Sequence, residues 1–113
     1  DRTIALAVTH KNEAGEQEIV AAGRLTRTHG QKVAEYAILV SDAYQGIGIG
    51  TQLLRHLLTI GKEEGIETVM AYMLPENRGM RRISQNLGFA FEREADLLKA
   101  TIDLVDFAVD GGC

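Results

Sequence analysis

The chain of 113 residues has one cysteine, one proline and no tryptophan. The single Cys113 excludes an internal disulfide framework and a zinc site built on cysteines, and it favours a reducing, cytoplasmic setting. No stretch approaches the roughly 20 apolar residues that a membrane-spanning helix needs, so the sequence predicts no membrane partner. The net charge of -4 comes without a basic stripe, which argues against nucleic acid as a partner.

Metal ligands and a secretion signal are also missing. The three histidines, His10, His29 and His56, have no ligand-like spacing, so we predict no metal site. The chain starts at Asp1 without a charged lead and apolar stretch, and the segment from Thr3 already resembles a strand. We therefore expect residues 1–113 to be one domain, incomplete at its N-terminus and part of a longer chain.

The first third of the sequence is typical of antiparallel β-structure. Alternating or apolar segments predict strands at 3–9, 18–27 and 32–40, separated by polar turns at 11–16 and 28–31. Three strands joined by short turns predict a meander.

The period then changes to that of a helix. Ile49, Leu53, Leu54, Leu57 and Leu58 form an apolar stripe in a helix over 48–64. The strand that follows, at 66–74, is apolar on both faces, which predicts a place inside the sheet and parallel to strand 32–40. A second helix is expected from an Asn77 cap to about Leu87, followed by a hairpin of strands at 89–94 and 99–109.

Three alternating glycines lie between strand 32–40 and the first helix. Gly46, Gly48 and Gly50 allow a ligand to approach the backbone where helix N–H groups and the helix dipole favour an anion, above all a phosphate. A flexible turn without a ligand is the less favoured reading, because each glycine costs a helix up to about 1 kcal/mol against alanine. A Walker loop would need a lysine before Thr51, and a dinucleotide-binding loop would need a glycine at position 51. Both of these nucleotide-binding motifs are therefore excluded.

The segment VSDAYQGIGIGTQLL, from Val40 to Leu54, resembles motif A of the GNAT superfamily of N-acetyltransferases. The segment NRGMRRISQNLGF, from Asn77 to Phe89, is similar to the second motif of that family. This resemblance covers nearly the whole chain from Thr3. It implies a mixed α+β fold with a largely antiparallel sheet, a central parallel β-α-β unit and splayed strands, but without the two N-terminal helices of the family.

The resemblance also implies acetyl-CoA as cosubstrate, without a metal. The pantetheine arm would bind the main chain of one strand, the pyrophosphate would bind the glycine loop, and Asn77 would contact the pantetheine or adenosine portion. The cofactor-binding residues implied in this way are Ile38, Leu39, Val40, Gln45, Gly46, Ile47, Gly48, Ile49, Gly50, Thr51 and Asn77. The resemblance further suggests Arg78, Arg81 and Arg82 for the 3′-phosphate, although a solvated helix face explains any one of them equally well.

Glu35 is the acidic residue of the strand that leads to the glycine loop, with Ala37 and Leu39 on the same face. An apolar setting disfavours the ionised carboxylate and would suit a general base, whereas an ordinary strand glutamate would point to water. The run from Ala34 to Val40 resembles the strand of bacterial protein lysine acetyltransferases in which the matching glutamate is the base. That branch occurs fused to regulatory or acyl-CoA synthetase domains and acylates the active-site lysine of acyl-CoA synthetases.

One position departs from the family pattern. Many GNAT enzymes have a tyrosine seven residues after the helix asparagine to protonate the leaving thiolate, and this chain has Ser84 there. Water, Tyr44 or Tyr72 would have to replace it, unless the thiolate leaves unaided. The expected function is transfer of an acetyl or other acyl group to a protein lysine, for example of an acyl-CoA synthetase. A small-molecule amine acetyltransferase and a non-catalytic acyl-CoA sensor remain the alternatives.

Overall fold

The computed structural model describes residues 3–28, 30 and 32–107, which form one six-stranded sheet and two α-helices. Expectations that concern Asp1, His29 and Cys113, and part of the turn at 28–31, fall outside these residues. The elements are β1 (Thr3–Lys11), β2 (Gln17–Arg27), β3 (Val33–Val40), α1 (Ile49–Glu63), β4 (Thr68–Met73), α2 (Arg78–Asn86), β5 (Ala90–Glu94) and β6 (Leu97–Asp103). Short 3-10 turns lie at Asp42–Tyr44 and Leu104–Asp106. Neither of the two described helices is long and apolar enough to cross a bilayer.

The strands lie in the order β1-β2-β3-β4-β6-β5, and β3 and β4 are the only parallel neighbours among the described strands. The first three strands form the predicted meander. Helix α1 connects β3 to β4, so the predicted parallel β-α-β unit at the centre of the sheet is confirmed. The result is the mixed α+β architecture expected from the sequence.

The closing hairpin differs from its prediction. Its second strand begins at Leu97, two residues earlier than expected, and ends at Asp103 instead of continuing to residue 109. The Asp103 side chain accepts a hydrogen bond of 3.0 Å from the N–H of Val105 and caps a 3-10 turn there. Alternating apolar residues continue past Asp103, but this local hydrogen bond turns the backbone away from the sheet. Residues 108 and 109 lie outside the described part of the chain.

Both helices pack on the same face of the sheet. The leucines of the predicted α1 stripe, from Leu53 to Leu58, are buried against core residues that include Leu25, Ala34 and Val69, whereas Ile49 is only half-buried. Burying each such side chain contributes about 1.5–3 kcal/mol, so this contact fixes α1 on the sheet. On the opposite face, Leu39, 78% exposed, is not covered by any described element.

Candidate functional site

The sheet opens between its two parallel strands. β3 pairs with β4 only from Val33 to Glu35, opposite Thr68–Met70. Beyond that point β3 continues to Val40 on β2, while β4 continues to Met73 on β6. The two strands therefore diverge, and a gap opens toward their carboxyl ends, where ligands of α/β sheets commonly bind.

The glycine loop lies at the mouth of this gap. Gly46 has φ +82° and Gly48 φ +90°, the left-handed region that side chains disfavour, and Gly48 is the N-cap of α1. A Cβ atom at either glycine would have no other heavy atom within 4 Å. The loop thus combines open space with the N–H groups of a helix N-terminus, which is the arrangement that a phosphate requires.

Gln45 braces the loop against the end of β3. Its Nε2 donates hydrogen bonds to the carbonyl oxygen of Val40 at 3.1 Å and to Oδ1 of Asp42 at 3.3 Å. The side chain of Gln45 is therefore engaged with the protein itself, and its position holds the backbone of the loop at the mouth of the gap.

A groove of about 730 Å³ runs from β3 past the glycine loop to α2. Its size falls within the range of small-molecule and cofactor sites. The lining residues are Ile38, Leu39, Val40, Tyr44, Gln45, Gly46, Gly48, Gly50, Thr51, Asn77, Arg78, Gly79, Met80, Arg82, Ile83 and Asn86. The groove thus brings together residues from two distant segments of the chain, β3 with its loop and the second helix.

Nearly all of the cofactor-binding residues expected from the sequence line this groove. The exceptions are Ile47, which is exposed, and Ile49, which faces a smaller cavity of about 240 Å³ between β1 and α1. Five further residues line the groove without having been predicted from the sequence: Tyr44, Gly79, Met80, Ile83 and Asn86. Helical spacing from Asn77 would have found Met80 and Ile83, since residues three or four apart share a face of a helix.

Helix α2 forms the wall opposite β3. Asn77 caps it as predicted, with Oδ1 accepting a hydrogen bond of 3.1 Å from the N–H of Met80. At the other end of the helix, Asn86 donates a hydrogen bond of 3.2 Å to the hydroxyl of Thr51. This bond connects α2 to the first turn of α1.

The three arginines of α2 differ in exposure and in what their side chains contact. Arg78 and Arg82 are exposed and line the groove. Arg81 is half-buried, and its guanidinium donates a hydrogen bond of 3.0 Å to the carbonyl oxygen of Pro75. Two guanidinium groups and the N-terminus of α1 thus give the groove positive charge.

Glu35 lies where β3 and β4 begin to separate, opposite Met70. Its side chain is exposed on the sheet face away from the helices, and it does not line the groove. The apolar setting expected from Ala37 and Leu39 is not found among the described residues, because no described element covers that face. Glu35 is instead accessible from the open side of the sheet.

Ser84, at the position of the missing tyrosine, is fully buried in α2. Its hydroxyl lies 2.5 Å from the hydroxyl of Tyr36, which is 3% exposed and packs edge-on against Phe89. Burial raises the pKa of the Tyr36 hydroxyl above its ordinary value of 10.0, and the hydrogen bond with Ser84 offsets part of that rise. Tyr36 was not predicted as the partner of Ser84, because no local pattern connects the two residues.

The two tyrosines considered as replacement acids lie apart from this pair. Tyr44 lines the groove and stacks at a tilt on His10, with ring centroids 5.9 Å apart. Tyr72 is exposed on β4, and its hydroxyl donates a hydrogen bond of 3.3 Å to Glu94. Within 3–28, 30 and 32–107, no three His, Cys, Asp or Glu side chains come together as a metal-binding group.

Comparison with known proteins places these features in a family. The sequence matches the model of the Acetyltransferase (GNAT) family over residues 4–89, more than half of the chain. This chain belongs to the GNAT acetyltransferase family. The fold is accordingly the mixed α+β GNAT fold, and the two motifs found in the sequence form the glycine loop and α2 of this GNAT domain.

Relatives of this GNAT domain include proteins named as acetyltransferases. An acetyltransferase from Pseudomonas aeruginosa is 31% identical over 91 residues, which cover 80% of this chain and 48% of the relative. Acetyltransferase Pat from Mycolicibacterium smegmatis is 36% identical over 77 residues, covering 67% of this chain and 23% of Pat. The crystal structure of the GNAT domain of S. lividans PAT superposes with a TM-score of 0.77 at 29% identity, covering 90% of this chain and 61% of that one. The chain thus spans about half or less of the curated relatives it matches.

Proposed function

We propose that this GNAT domain transfers an acetyl or other acyl group from acetyl-CoA to an amine, and that the amine is the side chain of a protein lysine. The observation that carries the proposal is the continuity of the groove. One groove joins the diverging end of β3 to a helix N-terminus with two left-handed glycines and to the arginines of α2. These three parts of the groove match a long ligand that has an amide-containing arm at one end and phosphates at the other.

Each part of the cosubstrate has a matching surface. The pantetheine arm would lie along the Ile38–Val40 segment of β3, where no described strand pairs on the β4 side and main-chain groups are available. The pyrophosphate would bind at Gly46–Thr51, where the open space beside Gly48 admits phosphate oxygens. Arg78 and Arg82 would then meet the remaining 3′-phosphate.

Glu35 is the proposed general base. In the transfer, the neutral amine attacks the thioester carbonyl, the new N–C bond forms and the C–S bond breaks. The proton lost by the amine goes to the Glu35 carboxylate, directly or through one water, and the thiolate takes a proton from solvent. Glu35 suits this role because it lies where the strands separate and faces the side opposite the helices. Acceptor and cosubstrate can therefore approach from different sides of the sheet.

The accessibility of Glu35 supports a large acceptor. The open face around it includes Leu39 and Tyr72, both exposed, and carries no covering element in the described chain. A lysine on the surface of another protein can reach such a face, and the carboxylate attracts its ammonium group. The resemblance of the Ala34–Val40 strand to that of bacterial protein lysine acetyltransferases supports the same choice, and an acyl-CoA synthetase is the proposed acceptor.

The test uses the full-length protein with acetyl-CoA and either an acyl-CoA synthetase or a panel of small amines. Thiol release and lysine acetylation are followed together, and acetyl-CoA binding is measured by calorimetry. Glu35→Gln is expected to slow transfer by about 10²–10⁴-fold, the usual contribution of a general base, while acetyl-CoA binding stays nearly unchanged.

Glu92→Gln provides the matched control, since Glu92 is also an exposed strand glutamate but lies on β5. It should transfer at the parental rate. Parental transfer by Glu35→Gln would reject the base assignment. Acetylation of small amines but not of the synthetase would make this a small-molecule enzyme, and acetyl-CoA binding without any transfer would indicate a sensor.

A further inference from the structure

Helix α2 buries few apolar side chains between Arg78 and Asn86, although Leu87 at its C-cap is buried in the core. Ser84 is its only fully buried residue among Arg78–Asn86, whereas Met80 and Ile83 are half-buried and the arginines are polar. Most surface helices are fixed by a continuous apolar stripe, as α1 is here. The position of α2, and with it one wall of the groove, therefore depends strongly on individual contacts.

One of these contacts spans the opening of the sheet. Tyr36 is the first residue of β3 beyond the last pair with β4, and its hydroxyl meets that of Ser84 on α2. Because α2 follows β4 in the chain, the hydrogen bond joins the two sides that diverge at this point. Both hydroxyls are buried, so water does not compete for the bond.

The bond also lies next to the groove itself. Ile38, two residues beyond Tyr36 on the same strand face, lines one wall, and Ile83, adjacent to Ser84, lines the other. Any shift of α2 relative to β3 would change the separation of these two side chains. The Tyr36–Ser84 bond is thus one of the contacts that set the width of the groove, beside the hydrogen bond of Asn86 to Thr51.

We infer that the hydrogen bond between Tyr36 and Ser84 is a positioning device, which sets the distance between β3 and α2 and thereby the affinity for acyl-CoA. This inference rests on the proposed function of the groove. Neither hydroxyl touches the groove, so the pair acts through Ile38, Ile83 and the other wall residues. Removing one hydroxyl leaves the other buried without its partner, and the helix moves to restore a hydrogen bond. For Ser84 the nearest alternative is the carbonyl oxygen four residues back in its own helix, and such a bond bends a helix and so also displaces it.

Acetyl-CoA binding and steady-state transfer are measured for the full-length parent, Tyr36→Phe, Ser84→Ala and the double variant. Tyr36→Phe keeps the ring that packs on Phe89 and removes only the hydroxyl. Each single variant is expected to raise KM and Kd for acetyl-CoA by up to about tenfold, the change that results if the whole cost of the lost bond falls on binding, with kcat within about twofold. The double variant should bind better than the product of the two losses, because no unpartnered hydroxyl remains.

Ile66→Val is the control, since Ile66 is buried in the core and does not line the groove. It should lower the unfolding temperature without changing KM. The control thus distinguishes displacement of α2 from general destabilisation of the fold. Unchanged KM in both single variants overturns the inference, and so does a fall in kcat at constant KM. Should Tyr36→Phe not fold, Ser84→Ala decides alone. Failure of the parent to bind acetyl-CoA would reject the proposed function first, and the inference with it.

Discussion

Gly50 and Ile83 are in such close contact that a side chain at Gly50 would collide with Ile83. A Cβ atom there would lie 2.6 Å from Cδ1 of Ile83. Gly50 is buried in the first turn of α1, and Ile83 lies on α2. The third glycine of the loop is therefore needed for the packing of the two helices, whereas Gly46 and Gly48 are needed for their left-handed backbone.

The contact predicts a rescue. Gly50→Ala should destabilise the protein by about 1 kcal/mol, the low end of overpacking, because the colliding atom is the end of the Ile83 side chain and alanine favours a helix over glycine. Ile83→Val removes the colliding Cδ1 atom, so the double variant should lose less stability than the sum of the two single losses. Urea unfolding of the four proteins measures both values. Additive losses in the double variant would show that the collision is relieved elsewhere.

Gly48 and Gly15 form a matched pair for testing the loop. Both have a positive φ, +90° and +81°, and open space around a Cβ atom, but Gly15 lies in the turn between β1 and β2. Replacing either by alanine should cost about 1–2 kcal/mol of folding stability, because the left-handed conformation is strained with a side chain. Only Gly48→Ala, and more severely Gly48→Val, should also weaken acetyl-CoA binding, since the added atoms occupy phosphate space. Calorimetric titration separates the effects, and tight binding by Gly48→Val would reject the loop assignment.

The arginines of α2 predict a selective loss of affinity. Removal of Arg78 and Arg82 together should weaken CoA binding about tenfold and leave 3′-dephospho-CoA binding almost unchanged. Arg81→Ala should lower stability, because it loses the hydrogen bond to Pro75, without changing the ratio of the two affinities. Equal losses for both ligands in the Arg78→Ala/Arg82→Ala variant would show that these residues act only through overall charge.

Burial of Tyr36 predicts a pH effect on stability. Because the pKa of its hydroxyl is higher in the folded protein than in the unfolded chain, its contribution is complete below about pH 10 and is lost as the pH rises through the folded value. The free energy of unfolding of the parent should therefore fall more steeply above about pH 10 than that of Tyr36→Phe. Urea titrations at stepped pH provide the comparison. Parallel slopes for the two proteins would indicate that Tyr36 titrates normally.

Local patterns predicted much of this structure. The leucine stripe of α1, the Asn77 cap and the parallel placement of β4 follow from periodicity and capping chemistry, and each is confirmed. The glycine loop was found for the same reason, since its constraint lies within a few residues. These features depend on interactions between neighbours in the sequence, which a single chain displays directly.

Contacts between distant residues were not predictable in this way. Tyr36 and Ser84 are separated by 48 positions, and neither has a local pattern that names the other. The sequence does not indicate the point at which β3 and β4 stop pairing, since both strands remain continuously apolar beyond it. The exposure of Glu35 depends on whether another element covers its face of the sheet. The alternation of residues along one strand does not contain that information.

The end of the β3–β4 pairing has a consequence for the dynamics of the free protein. From Tyr36 to Val40, β3 pairs with β2 on one side, but no described strand pairs with it on the other side. This segment is therefore a free edge inside the sheet. Its N–H groups on that side face solvent instead of a neighbouring strand, so they should exchange with deuterium rapidly in the absence of acetyl-CoA. A bound pantetheine arm would protect the same amides, and slowed exchange within this one strand would then report occupancy of the groove.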